Sequence, residues 1–321
     1  MKLVFCGTPP FAVPTLEALM AAGHDIPLLL TQPDRPQGRG LALAASAVKQ
    51  AAQRHGLTIE QPEKIKNNSE LQALLERIHP DAIIVVGYGR MVPPWMLSLP
   101  KRGNINLHGS LLPKYRGAAP LQWAIAEGES VSGVTTMLLN EGLDTGDILL
   151  QRELAIQPDE TAVSYGQRLA VIGADLMVET LRGVESGRIT PQRQDHGHAS
   201  LAPLLKKEDG LASFNFSAQR IYNRLRGFQP WPGCYTNFRR NKLTIAAAKA
   251  VTQTGDGNPG EMLVERDRLF VSCGERSMLE LLEVQPEGKR RMPTADFVRG
   301  YRPLSGEKLG TSQVPIVKPP A

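Results

Sequence analysis

Apolar and polar positions fall into blocks along the first two-thirds of the chain, and the period of the blocks switches in a regular order. Residues 2–6 form a short apolar run closed by Gly7-Thr8-Pro9-Pro10, which reads as a buried strand and a turn. Phe11 to Ala22 has helical spacing, Gly23-His24 ends it, and Ile26 to Leu30 is a second apolar run. Strand, helix and strand in this order predict a parallel sheet with right-handed crossovers. The pattern then repeats. A helix is expected over Ala44–His55, a short strand near Thr58-Ile59, and a helix capped by Asn68-Ser69 that runs to Ile78. Ala82 to Val86 is continuously apolar, as in strands buried on both faces.

The stretch Gly103 to Pro120 changes the pattern. Ile105 and Leu107 alternate with Asn106 and His108, so a strand would set Asn106 and His108 on one face and Leu107 on the other. Gly109 ends the strand, and Ser110-Leu111-Leu112-Pro113 follows as a short, half-apolar loop. Leu121–Glu127 reads as a helix, Gly133–Leu139 and Ile148–Leu154 as strands, and Thr161–Glu185 as a long helix with acidic residues at its start. From Arg188 to about Lys207 the chain is polar and loop-like.

Beyond this point the period changes again. Ser217–Arg226 is an arginine-rich helix. Short alternating runs follow at Tyr235–Phe238, Leu243–Ala248, Glu261–Val264, Leu269–Val271 and Met278–Val284, with a last helix over Thr294–Val298. Short strands separated by turns such as Thr254-Gly255-Asp256-Gly257 suggest a small antiparallel barrel. The expected fold is therefore α/β: a doubly wound, mostly parallel Rossmann-like sheet over residues 1–189, a link over 190–207, a small OB-like antiparallel β-barrel over 208–313, and a proline-rich tail over 314–321.

Composition narrows the class. The 321 residues suffice for two domains with cores of their own. Cys6, Cys234 and Cys273 have neither metal nor redox spacing, and no apolar run could span a bilayer. A monomeric, cytoplasmic protein without a metal or a membrane anchor is expected. The net charge of +5 is unevenly spread. Residues 1–205 sum to −2 and residues 206–321 to +7, which suits a polyanionic partner for the C-terminal part, or merely a soluble surface. His196-Gly197-His198 lacks a further ligand cluster at zinc spacing. Gly7 is not followed by a dinucleotide fingerprint. The loop Thr31–Gly40 is rich in proline and glycine, excludes helix and strand, and is long for a connection inside a crossover.

The candidate chemistry lies at the ends of the predicted strands. An amide beside an imidazole can stabilise a developing oxyanion, and imidazole moves protons near neutral pH. The same Asn-x-His can also simply close a strand end, the His on a carbonyl and the Asn on a turn. A second loop, Leu143-Asp144-Thr145-Gly146-Asp147, offers a carboxylate one strand later.

Taken together, Asn106, His108, Ser110-Leu111-Leu112-Pro113, Arg116-Gly117-Ala118-Ala119-Pro120 and Asp144 resemble the signature of the folate-dependent formyltransferases. The resemblance runs from Phe5-Cys6-Gly7-Thr8-Pro9 to Arg291. It implies formyl transfer from 10-formyltetrahydrofolate, with Asn106, His108 and Asp144 catalytic and no metal. It also implies a folate slot at Gly87, Tyr88, Ser110, Leu111, Leu112 and Pro113, with the Asp144 loop closing over it. Within the superfamily, Pro33–Gly40, Ala118-Ala119-Pro120 and Phe228-Gln229-Pro230-Trp231-Pro232 are similar to the members that formylate methionine on charged initiator tRNA. The acceptor end of the tRNA would then meet Arg39, and Lys289, Arg290 and Arg291 would bind its backbone. Leu41-Ala42-Leu43-Ala44 departs from the lysines expected after the Gly-Arg-Gly. A folate-dependent aminosugar formyltransferase is the alternative. A non-enzymatic RNA-binding protein fits poorly with the intact triad, and a hydrolase releasing formate would replace the amine by water.

Overall fold

A computed structural model describes residues 1–37 and 42–310. The chain divides into two compact units. The first comprises residues 1–121, 131–155 and 164–203, and the second comprises 122–130, 156–163 and the chain from 204 onward.

The first unit is built on a seven-stranded sheet. Its strands are β1 (Lys2–Gly7), β2 (Asp25–Leu30), β5 (Ile59–Glu60), β6 (Ala82–Val86), β7 (Asn104–His108), β8 (Val131–Leu138) and β9 (Ile148–Ala155), in the order β5-β2-β1-β6-β7-β8-β9. The pairs from β5 to β7 are parallel; β8 and β9 run antiparallel at one edge. The helices are α1 (Val13–Ala21), α2 (Ala47–Arg54), α3 (Ser69–Ile78), α4 (Pro94–Leu97), and the bulk of α6 (Ala162–Glu185). Both faces of the sheet are covered, which is why its strands read as unbroken apolar runs. On one face Val4, Cys6, Leu28, Leu30, Ile83 and Val85 pack under Leu71 and Leu75 of α3. On the other, α6 approaches so closely at Gly173 that a Cβ there would lie 2.7 Å from Leu107. The caps follow the sequence: Ser46 Oγ accepts from Lys49 N–H and Asn68 Oδ1 from Leu71 N–H, each at 3.0 Å.

One expectation is corrected here. Within Thr31–Gly40, read as a loop without regular structure, β3 (Arg35–Gln37) pairs antiparallel with β4 (Ala42–Ala44). Proline is tolerated at Pro36 because a two-stranded ribbon has no second neighbour to demand its missing N–H.

The second unit holds the end of α5 (Pro120–Ala126), α7 (Ala218–Gly227), α8 (Thr294–Tyr301), and an antiparallel sheet. Its strands are β10 (Tyr235–Phe238), β11 (Asn241–Val251), β12 (Met262–Glu265), β13 (Arg268–Ser272), β14 (Met278–Pro286) and β15 (Met292–Pro293). The order is β10-β11-β14-β13-β12, with β15 added on β14. Register shifts near Ala247 bend β11, as bulges do. Phe238, Leu243, Ile245, Leu269, Val271, Leu279 and Leu281 face inward around Ile221 of α7 and Phe297 of α8. Arg226 is buried in this unit, donating to the carbonyl of Glu160 (2.8 Å) and to Asn223 Oδ1 (2.8 Å), and so ties the 156–163 segment down.

Candidate active site

β7 brings Asn106 and His108 to the carboxyl end of the sheet, between the end of β6 and the start of the β8 pairing. His108 pairs across to Thr135, and Asn106 lies beside Val85. Both side chains are buried. His108 Nε2 lies 2.8 Å from the Tyr115 carbonyl. A carbonyl only accepts, so this nitrogen carries the proton and donates. The other ring nitrogen, Nδ1, faces Asp144 Oδ2 at 3.7 Å. The Asn106 side chain is 8 % exposed, and no hydrogen bond of its amide is found among the described residues.

Asp144 is held from its backbone. Its φ of +49° is unusual for a residue with a side chain, and Oδ2 accepts from Gly117 N–H at 2.8 Å. Gly146 closes the same turn, where a Cβ would stand 1.7 Å from the Leu138 carbonyl. Thus the structure brings together the three residues assigned to chemistry from the sequence, although two are on β7 and the third lies in the β8–β9 connection.

The residues assigned to the folate slot divide. Ser110, Leu111, Leu112 and Pro113 form the turn directly after His108. Thr135 Oγ1 donates to the Ser110 carbonyl (2.7 Å) and accepts from Leu112 N–H (3.1 Å), while Gln151 Nε2 donates to the Leu112 carbonyl (2.9 Å). The Ser110 hydroxyl is spent on the Lys114 carbonyl at 2.7 Å, so its part is to shape the turn. Gly87, with φ of +56°, follows the end of β6, where a Cβ would stand 2.7 Å from Pro9. The Tyr88 ring is only 1 % exposed and sits in the core with Cys6 and Met96. What residue 88 offers a ligand is therefore backbone, and its carbonyl already accepts from Gln32 Nε2 at 3.1 Å. Thr135, Gln151, Gln194 and Ser200 belong to the site and were not foreseen, because no local pattern marks a side chain whose partner lies tens of residues away.

Of the residues assigned to RNA, Arg39 lies outside the described residues. Asp34, earlier in the same loop, is engaged by Lys49 Nζ (2.6 Å) and Gln61 Nε2 (2.8 Å), which together hold its carboxyl below the usual range. In the second unit, Lys289, Arg290 and Arg291 occupy the exposed turn between β14 and β15, and Arg291 is paired with Glu283. Strand pairing adds the β10–β11 turn to the same end. There Glu287 N–H donates to the Lys242 carbonyl at 3.0 Å. Arg239 and Arg240 fill both left-handed positions of that turn, at φ of 46° and 70°. Arg239 is tied to Glu307 at 2.6 Å.

Among the described residues, no helix is long and apolar enough to cross a membrane, and no group of three His, Cys, Asp or Glu side chains is placed to hold a metal. Burial pushes the Cys234 and Cys273 thiols up to about 12, and Cys6 upward as well, so none of them is a ready nucleophile.

Comparison with known proteins fits this geometry. Residues 1–181 match the formyl transferase family and residues 204–302 the formyl transferase C-terminal domain. Methionyl-tRNA formyltransferase of Koribacter versatilis is 59 % identical over 97 % of this chain and 99 % of its own length. The enzyme of the same name from Acidobacterium capsulatum is 58 % identical over 97 % and 100 %. The chain belongs to the methionyl-tRNA formyltransferases. Members of that family thus share, almost end to end, the chain whose β7 and β8–β9 loop carry this site. A sugar-directed relative shares the fold alone: the N-formyltransferase of Helicobacter canadensis, solved with folinic acid and dTDP-3-aminofucose, superposes with a TM-score of 0.65 at 18 % identity, over 89 % of this chain and 99 % of its own.

Proposed function

We propose that this chain moves a formyl group from 10-formyltetrahydrofolate to the α-amino group of methionine on charged initiator tRNA, in the cytoplasm and as a monomer. The observation that carries this is the assembly of Asn106, His108 and Asp144 at one strand end, in a chain alike over nearly its whole length to enzymes of that name. Asn106 supplies the free amide. It donates to the formyl oxygen as negative charge develops there, with its cost of reorganisation already met by the fold. His108 is oriented by the Tyr115 carbonyl, so its Nδ1 is the nitrogen that faces the reaction. The attacking amine must lose a proton and the departing folate nitrogen must gain one. Asp144 and His108 Nδ1, 3.7 Å apart, form one acid–base pair that can take the first and supply the second. The Ser110–Pro113 turn and Gly87 offer a half-apolar wall for the donor's ring, and the β14–β15 turn offers cations for RNA phosphate.

Single-turnover transfer of labelled formyl from the folate donor is the direct test. Charged initiator tRNA should accept it. Charged elongator tRNA and a nucleotide-linked aminosugar should not, and formate release without tRNA should stay at background. Efficient formylation of the aminosugar instead would overturn the tRNA assignment.

A further inference from the structure

The segment from Gln194 to Ala202 looks like a connector in the sequence, and the structure gives it another task. It runs along the motif loop and bonds to it repeatedly. Arg116 N–H donates to the Ser200 carbonyl (2.8 Å), Ala202 N–H to the Arg116 carbonyl (2.7 Å), and Ala119 N–H to the Ala202 carbonyl (3.2 Å). The approach is tight at Gly117, whose φ is +126° and where a Cβ would stand 2.5 Å from the Ala202 carbonyl. Gly117 is also the residue whose N–H holds Asp144 Oδ2.

Two side chains of this segment reach further. Gln194 is buried. Its Nε2 donates to the carbonyls of Asp144 (2.8 Å) and Gly146 (2.7 Å), which uses both amide hydrogens. Its Oε1 accepts from Arg116 Nε (3.1 Å) and Nη2 (2.6 Å), and Arg116 Nη2 also donates to His196 Nδ1 at 3.1 Å. Ser200 Oγ accepts from Tyr115 N–H at 2.9 Å. Tyr115 has a φ of +60°, and its carbonyl is the acceptor that fixes His108 Nε2. So each catalytic side chain of the His108–Asp144 pair depends on a backbone in the left-handed region, and each of those backbones is held by this one segment. Left-handed residues with side chains are strained and persist only where their surroundings over-determine them.

We infer that the 194–202 segment is the positioning element of the His108–Asp144 pair, Gln194 acting through the Asp144 backbone and Ser200 through Tyr115. Neither residue touches substrate in this scheme. The inference rests on the formyl-transfer reading for its kinetic arm and on the geometry alone for its exchange arm. Gln194→Glu is the sharpest variant. It keeps an acceptor for the buried Arg116 and removes the two donors to the Asp144 loop, so the fold survives while the loop loosens. Ser200→Ala is the independent second variant and deletes one hydrogen bond.

The experiment is single-turnover formyl transfer together with amide exchange of the full chain. Gln194→Glu should lower the rate about 10- to 100-fold, the range seen when supporting hydrogen bonds of a site are lost. The KM values for folate donor and tRNA should stay close to those of the wild type. On an Asp144→Asn background, Gln194→Glu should cost nothing more, because a residue acting only through Asp144 has nothing left to position. Ser200→Ala should likewise lose its effect on a His108→Ala background. In exchange, peptides covering Gly117 and residues 141–147 should lose protection in Gln194→Glu while those of β1 and β6 keep theirs. If the losses multiply in full on the Asp144→Asn background, or if exchange at 141–147 is unchanged, the positioning role is wrong. If the wild type transfers no formyl group at all, the functional reading falls, and the exchange arm still decides this inference.

Discussion

In the proposed mechanism His108 is both structural and chemical. Its Nε2 proton closes on the Tyr115 carbonyl, the ordinary fate of a histidine at a strand end, and that bond leaves Nδ1 aimed at Asp144. Asn106 lies on the same face of β7 and keeps its amide uncommitted among the described residues. Removing one donor to a developing oxyanion typically costs about 10²–10³ in rate. Asn106→Ala should fall in that range, and His108→Ala should lose about 10²–10⁴, the usual worth of a positioned acid–base group, with folate binding by equilibrium titration nearly unchanged. Turnover close to the wild type in either variant would take that residue out of the mechanism. Asp144→Asn keeps the Gly117 bond as an amide oxygen can accept it, so its loss of rate would report on proton transfer and not on loop position.

The C-terminal sheet carries one carboxylate whose environment makes a pH prediction. Glu280 on β14 is buried, and it accepts from Arg268 Nε of β13 at 2.8 Å and pairs with Lys249 Nζ of β11 at 3.1 Å. The Arg268 hydrogen bond, then the Lys249 one, hold its carboxyl below the usual range against the opposing effect of burial. The folded value is therefore lower than the unfolded one, near 4.3 for a free glutamate. Stability from this group is complete above that unfolded value and is lost as pH falls through the lower, folded one. Thermal unfolding followed between about pH 6 and pH 3 should show Glu280→Gln with a shallower acid decline than the wild type. At neutral pH the variant should be about 1–3 kcal/mol less stable, the usual worth of hydrogen bonds to charged groups. Parallel pH curves would mean that the three charges contribute no linked stability.

Across the molecule, charge divides at about residue 206, with −2 before it and +7 after. The pairing pattern sharpens this. Arg291 is neutralised by Glu283 and Arg239 by Glu307, whereas Lys289 and Arg290 have no ion-pair partner among the described residues. Phosphate contacts release counterions, so each cation that touches RNA adds to the salt dependence of binding. Lys289→Ala with Arg290→Ala should weaken all tRNAs alike and flatten the salt slope by roughly one to two units, and adding Arg291→Ala should change little more. Arg39→Ala should instead impair formylation of the initiator tRNA while bulk tRNA binding holds. Binding isotherms and single-turnover rates over a salt series separate the two. A double variant that binds tRNA as the wild type does would remove this end of the sheet from recognition.

Periodicity was enough to read the parallel sheet, the cap at Asn68 and the antiparallel C-terminal strands, and a motif singled out Asn106, His108 and Asp144, which the fold brings to one strand end. These depend on neighbours within a few residues, or on a motif whose residue types have few other uses. They could not reveal that Tyr88 turns its ring into the core, that Pro36 sits in a paired strand, or that Ser110 spends its hydroxyl locally. Nor could they mark Gln194 and Ser200. The hydrogen bonds of those two residues join positions 50 and 85 apart in the chain, and polar residues in a loop-like stretch look alike until the fold sets their partners within 3 Å. Local free energies are written in short patterns, while the satisfaction of buried donors and acceptors is settled only when distant backbone comes together.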